Sequence, residues 1–288
     1  MADRYSPLKA IGWSIAFVVL TLLLTGLLGF GIALALSRSP EGALGWLSGT
    51  GPGPLLLQGV AMVLSAALFT WLIGVRVHGL TLGDLRYRVG RERAGFGLGA
   101  VAGGLAAAVG LAIAATVGGA EWSRDTGTAG DYAGTVATTL LLLAPAALAE
   151  EVLFRGVPLI LLAAAFGRGT AVVLIAVAFA LVHLQNPNVT ALGIGNIALA
   201  GIFLGLAFYA PGGIWTAWGA HLGWNATLAA LDTPVSGVPF RIPFIDYEPG
   251  DPAWLTGGAF GPEGGLASTL ALTFAVLIAR RWAGKDST

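Results

Sequence analysis

An all-α, polytopic membrane protein of about eight transmembrane helices, with its site inside the helical bundle, is the fold class this sequence predicts, and three observations predict it. Hydrophobic residues fill 56% of the 288 positions and charged residues only 10%. The mean hydropathy is +0.81, far from the soluble average. The apolar residues also fall into runs of about the length that crosses a bilayer, parted by short polar, glycine-rich or proline-rich breaks. No soluble domain, internal repeat or low-complexity linker interrupts them, so residues 1–288 read as a single integral membrane domain.

The chain opens on a short polar head with Arg4 and Lys9. The run 11–36 follows; at 26 residues it is too long for a signal-peptide core, so it reads as an uncleaved span. Residues 54–75 make a second span. A basic loop with Arg76, Arg86, Arg88, Arg91 and Arg93 leads to a third, 95–118. There Gly95, Gly99 and Gly103 recur every four residues, a spacing that lets a neighbouring helix approach closely. After the polar, acidic segment 120–133, the fourth span covers 136–166, long enough to bend at Pro145 or Pro158. Gly167 and Gly169 break it from the fifth, 170–185, which ends at Asn186-Pro187-Asn188. The sixth span is 190–210, the seventh 214–231 after Pro211-Gly212-Gly213, and the eighth 264–279. Between the last two lies a long loop, 232–262, holding six of the fourteen prolines.

Lysine and arginine bias sets the orientation. With eight spans both termini share one side, which collects eleven of the fifteen basic residues against three on the other, Arg155 lying within a span. Both termini are therefore expected in the cytoplasm, in the plasma membrane. The zero formal net charge points to no nucleic-acid partner. Without cysteine the chain has no disulfide, thiolate nucleophile or cysteine metal site.

Chemistry gathers in Ala149-Glu150-Glu151-Val152-Leu153-Phe154-Arg155, inside the fourth span. A charge at the centre of a bilayer costs roughly 2.5–3.5 kcal/mol on insertion scales, so three together need a reason. Glu151 and Arg155, four apart, share a helical face and pair as a supporting ion pair. Glu150 points about 100° away and seeks partners elsewhere. His183, in Phe179-Ala180-Leu181-Val182-His183, lies as far after the turn at 166–167 as Glu150 lies before it. Both then sit roughly 25 Å along their helices. His221 and Asn225, four apart in the seventh span, share a face as well. His221 is only ~15 Å from its own turn, an offset of about two helical turns. His78, in the basic loop, reads as a solvated side chain.

Glu-Glu-x-x-x-Arg at 150–155, Phe-x-x-x-His at 179–183 and His-x-x-x-Asn at 221–225, in this order, resemble the CPBP family, the type II CAAX prenyl proteases and their bacteriocin-processing relatives. The resemblance covers residues 145–231 as a catalytic core. It implies an intramembrane endopeptidase, commonly classed with metalloproteases, acting on a membrane peptide or lipidated protein such as a prenylated CAAX tail or a bacteriocin. It also implies that Glu150 and His183 activate the attacking water while His221 and Asn225 stabilise the oxyanion.

General chemistry agrees: hydrolysis needs a base for water and donors facing the oxyanion. No serine, cysteine or threonine joins this set with a base at helical spacing. Zinc held by Glu150, His183 and His221 would be a sufficient ligand set. The His-Glu-x-x-His arrangement is absent, however, and the metal-free glutamate–histidine route is preferred. Two other readings compete: a proton- or ion-coupled transporter using Glu150 and Glu151, and a non-catalytic immunity protein on the same fold. Phe179 reads as packing, Asn196 as an interhelical hydrogen bond, and Trp215, Trp218 and Trp224 as belt or core.

Overall fold

The computed structural model describes residues 6–49, 51–88 and 90–283; Arg4 and Lys285, two of the expected cytoplasmic charges, lie outside them. The helices are α1 (Pro7–Ser37), α2 (Pro40–Leu47), α3 (Pro52–Phe69), α4 (Glu92–Gly118), α5 (Ala129–Arg155), α6 (Val157–Phe166), α7 (Arg168–Val182), α8 (Ala191–Phe208), α9 (Ile214–Ala230), α10 (Ala253–Thr256) and α11 (Leu266–Ala283). A π-helical turn, Thr70–Val77, extends α3, and the described residues also hold two four-residue strands, β1 (Glu121–Arg124) and β2 (Ile245–Glu248). The protein is an all-α polytopic membrane protein. Among the described residues six stretches are long and apolar enough to cross a bilayer: Pro7–Ser37, Pro52–Val77, Glu92–Gly118, Ala129–Phe166, Arg168–Gln185 and Ala191–Phe208. The two remaining expected spans are helical too, as α9 and α11, but α9 has only 17 residues and α11 carries Arg280 and Arg281 in its last turn.

Local chemistry sets the boundaries. Ser6 caps α1, accepting from the Lys9 amide, and Pro7 supplies a first residue with no amide to orphan. The 129–166 stretch breaks where sequence allowed a bend: α5 ends at Arg155, Gly156 leaves helical geometry, and Pro158 sits in the first turn of α6. Pro145 is accommodated inside α5.

The chain forms two compact units, Met1–Arg86 with Leu141–Ala171, and Tyr87–Leu140 with Val172–Thr288. In the first, α1 packs on α2, α3 and α6. Gly59 of α3 lies so near the backbone of α5 that an added Cβ would stand 3.2 Å from the Ala146 nitrogen.

In the second unit α4 runs along α9 on a seam of glycines. A Cβ on Gly99 would fall on the Thr216 carbonyl, and one on Gly103 on the Ala220 carbonyl. From the other side, Gly219 meets the Phe96 carbonyl and Gly223 the Ala100 carbonyl. Small residues here let two backbones touch, as the four-residue spacing implied. Helix α8 joins α11 through Asn196. Its amide donates to the Glu263 and Gly265 carbonyls at 2.8 and 2.9 Å, and its oxygen accepts from Thr269 at 2.7 Å.

The 232–262 segment, expected as a loop, contains β2, α10 and two 3-10 turns. Strand β2 pairs antiparallel with β1, Glu121 opposite Glu248 and Arg124 opposite Ile245. Trp122 and Tyr132 fasten this ribbon end to α9, donating to the Leu231 and Ala230 carbonyls at 2.7 and 3.0 Å.

Candidate active site

In the second unit, α7 unwinds at its end into a 3-10 turn, His183–Gln185, before Pro187. His183 therefore stands at the change from α to 3-10 geometry. Its Nδ1 lies 2.6 Å from the Phe179 carbonyl oxygen. A carbonyl only accepts, so Nδ1 carries a proton and donates; with Nδ1 so occupied, Nε2 is the ring nitrogen left to act as a base. The Phe-x-x-x-His spacing thus has a physical purpose: residue 179 supplies the carbonyl that fixes the imidazole. Its ring also packs 4.7 Å from the His183 ring and, edge-on, 6.0 Å from the His221 ring. Phe179 is packing, as expected, but its packing partners are the two histidines.

Helix α9, held by the glycine seam, presents His221 and Asn225 from one face, with His221 only 8% exposed. His183, His221 and Asn225 line a single cavity together with Trp224, Ser236 and Glu263. Its volume is about 30 Å³. About 10–15 Å³ suffices for one water, so the cavity has room for two or three. The two-turn offset counted along α9 does not keep His221 from joining His183, because α7 gives its histidine from its very end.

Glu150, Glu151 and Arg155 belong to the last turn and a half of α5, in the first unit. Arg155 Nη1 donates to Glu151 Oε1 at 3.0 Å, and both side chains are wholly buried. Glu150, on another face of the same helix, is half-buried.

Glu263 and Ser236 are the residues sequence reasoning missed. Glu263 Oε1 accepts from Trp224 Nε1 at 3.1 Å, while Oε2 accepts from the Ser236 amide and from Ser236 Oγ at 3.0 Å. Burial pushes its carboxyl up from the ordinary range; the Ser236 donors, His183 and Trp224 pull the other way. Its only sequence signal was a lone carboxylate at the edge of an apolar run, and no helical spacing links position 263 to 183 or 221. Trp224, read as belt or core, is core: it is 6% exposed and spends its indole N–H on this carboxylate.

Zinc requires three donors gathered at ligand distance. Among the described residues no three His, Cys, Asp or Glu side chains are so grouped.

Residues 132–227, one third of the chain, match the family model described as type II CAAX prenyl endopeptidase Rce1-like. That region includes all three motifs, from Glu150 to Asn225. Comparison with the curated proteins and with the solved structures finds no match.

Proposed function

We propose that this integral membrane protein, one third of it similar to the Rce1-like endopeptidases, is an intramembrane endopeptidase that hydrolyses a peptide bond in a membrane-associated peptide or lipidated protein. The observation that carries the reading is the meeting of His183, His221 and Asn225 around one cavity with room for a reacting water. Residues 145–231 form the catalytic core in this reading.

A water in the cavity loses a proton to His183 Nε2 and its oxygen attacks the scissile carbonyl carbon; Glu150 enters this reading as the second activating residue on the strength of the sequence motifs alone. The Phe179 carbonyl keeps His183 in the tautomer that can accept. As the C=O π bond opens, His221 and the Asn225 amide donate hydrogen bonds to the oxyanion, the stage at which such donors matter most. The proton then passes to the leaving amine, the C–N bond breaks, and two peptides depart with all side chains restored. No cysteine or serine ester is formed, and no step is routed through a metal.

The test is cleavage of a lipidated C-terminal peptide and of an unmodified membrane peptide by the purified protein. Glu150→Gln preserves shape and removes a base, so turnover should fall about 10²–10⁴-fold with an unchanged melting temperature. Near-wild-type cleavage by that variant would sink the assignment.

A further inference from the structure

In the second unit the basic residues and the candidate cavity lie at opposite ends. Helix directions follow from close approaches. A Cβ on Gly95 would meet Gly212 and Thr216, so α4 and α9 begin together. One on Gly110 would meet Ser268, and one on Gly118 would meet Thr256, so α4 ends where α11 begins. Gly201 and Gly205 of α8 approach Ala176 and then Val172, so α8 runs back along α7. One end of the unit therefore gathers the starts of α4 and α9 with the ends of α8 and α11. The other gathers the ends of α4, α7 and α9 with the starts of α8 and α11. Among the described residues the first end carries Arg88, Arg91, Arg93, Arg280 and Arg281, and the second Arg124 and Arg241. Arginine and lysine near the ends of spans mark the cytoplasmic face, whereas acidic residues contribute little.

The cavity belongs to the second end. His183 stands in the 3-10 turn after α7, Ser236 in the segment after α9, and Glu263 in the 3-10 turn before α11. These connections are tied to one another: Asn186 Nδ2 donates to the Ser236 carbonyl at 2.9 Å, and Ser236 Oγ to Glu263 Oε2 at 3.0 Å. Deeper along α8 and α11 the lining is apolar, with Phe203, Leu204 and Leu272. A peptide coming from the first end would have to carry its backbone past this apolar floor. Each unsatisfied N–H or C=O costs several kcal/mol in such surroundings. From the second end the peptide meets polar connections first.

We propose that the cavity is served from the side of the membrane away from the cytoplasm, so that the substrate is a peptide presented on that face. This rests on the endopeptidase reading above and chooses between the substrates it admits. The substrate is an exported peptide, or one anchored with its scissile bond on the outer side, and not a lipidated tail held in the cytoplasm. Export must then come before hydrolysis. A transport reaction that carries the peptide across the bilayer, or threads its cleavage site to the far side, supplies this enzyme.

The chain has no cysteine, so single cysteines report sidedness in the full-length protein. Ser123→Cys on β1 and Pro239→Cys after Ser236 put exposed thiols at the second end. Ala94→Cys, in the first turn of α4, puts one at the first end, and Ser236→Cys puts one in the cavity. Sealed right-side-out vesicles are treated with sulfonatoethyl methanethiosulfonate, which does not cross membranes, then opened with detergent and treated again. Ser123→Cys, Pro239→Cys and Ser236→Cys should react fully before opening, and Ala94→Cys only afterwards. The reverse pattern overturns the proposal. So does a Ser236→Cys thiol that takes membrane-permeant N-ethylmaleimide but not the sulfonate, because the cavity would then open elsewhere. Should Ser236→Cys be inert to both reagents or fail to fold, Pro239→Cys on the same segment decides by the same comparison.

In a second arm the unmodified membrane peptide of the cleavage assay is added to sealed vesicles of either orientation. Right-side-out vesicles should cleave it and inside-out vesicles should not; the opposite result overturns the proposal. If neither preparation nor the purified protein cleaves any peptide, that counts against the endopeptidase reading alone, and the thiol pattern still decides the side.

Discussion

Removing the Arg155 guanidinium breaks the wholly buried ion pair with Glu151. Breaking one side of a buried pair typically costs ~3–5 kcal/mol, so Arg155→Ala should melt at a clearly lower temperature or express poorly in detergent. A fully stable but inactive Arg155→Ala protein would instead put the arginine in catalysis. His221 decides a different question. With the metal-free route, His221→Gln still donates to an oxyanion and should keep measurable turnover, where loss of one such donor costs roughly 10²–10³-fold. Wild-type protein should ignore phenanthroline and carry no stoichiometric zinc; one zinc per chain that vanishes in His221→Gln would overturn that route. At this scale the sequence was informative wherever helical spacing bound residues together, as in Glu151 with Arg155 or His221 with Asn225. It was silent on Glu263, whose partners Trp224 and Ser236 lie 39 and 27 residues away and meet it only through tertiary folding.

For the helices, the sharpest expectation concerns the α4–α9 seam. Gly103→Leu would drive a side chain into the Ala220 carbonyl. Overpacking costs typically 1–3 kcal/mol, and here the obstacle is backbone, which cannot change rotamer. The variant should lose both thermal stability and hydrolysis, because the displaced helix carries His221 and Asn225. Gly97 offers the contrast on the same helix: nothing lies within 4 Å of its added Cβ, so Gly97→Ala should be neutral or stabilising by up to about 1 kcal/mol. A Gly103→Leu protein as stable and active as wild type would mean that the close approach is dispensable. The seam's small residues were visible in the spacing of Gly95, Gly99 and Gly103, but not their partner, since periodicity marks a face without saying what covers it. The ribbon of β1 and β2 was not visible either. Four-residue strands such as Glu-Trp-Ser-Arg are too short and too charged to stand out from a polar loop, and they are defined by each other.

Taken whole, the molecule's charges predict an orientation. We expect both termini in the cytoplasm, because the basic loop before α4 and the arginines ending α11 would share that side. Reporter fusions at either end should be active only in the form that works in the cytoplasm; a periplasm-type signal from both ends would invert the topology, and opposite signals would show an odd number of spans. Composition and run length were enough to read the fold class and to find every long helix. The partition into two units was not legible, because the chain returns: residues 141–171 leave the second stretch of sequence to pack with the first. Apolar runs record depth in the bilayer, not neighbours within it.

The glycine seam has a mechanical consequence. Where side chains separate two helices, they act as a compliant layer that yields in either direction as rotamers change. Between α4 and α9 that layer is missing, and carbonyl oxygens of one helix rest on the glycines of the other. Repulsion between touching backbones rises steeply, whereas separation only forfeits dispersion contacts. Thermal displacement of α9 is therefore rectified: it can lift from α4 or slide along it, but cannot press closer. The histidine and the carboxamide it carries share a common stop, and their fluctuations begin from the same edge each time.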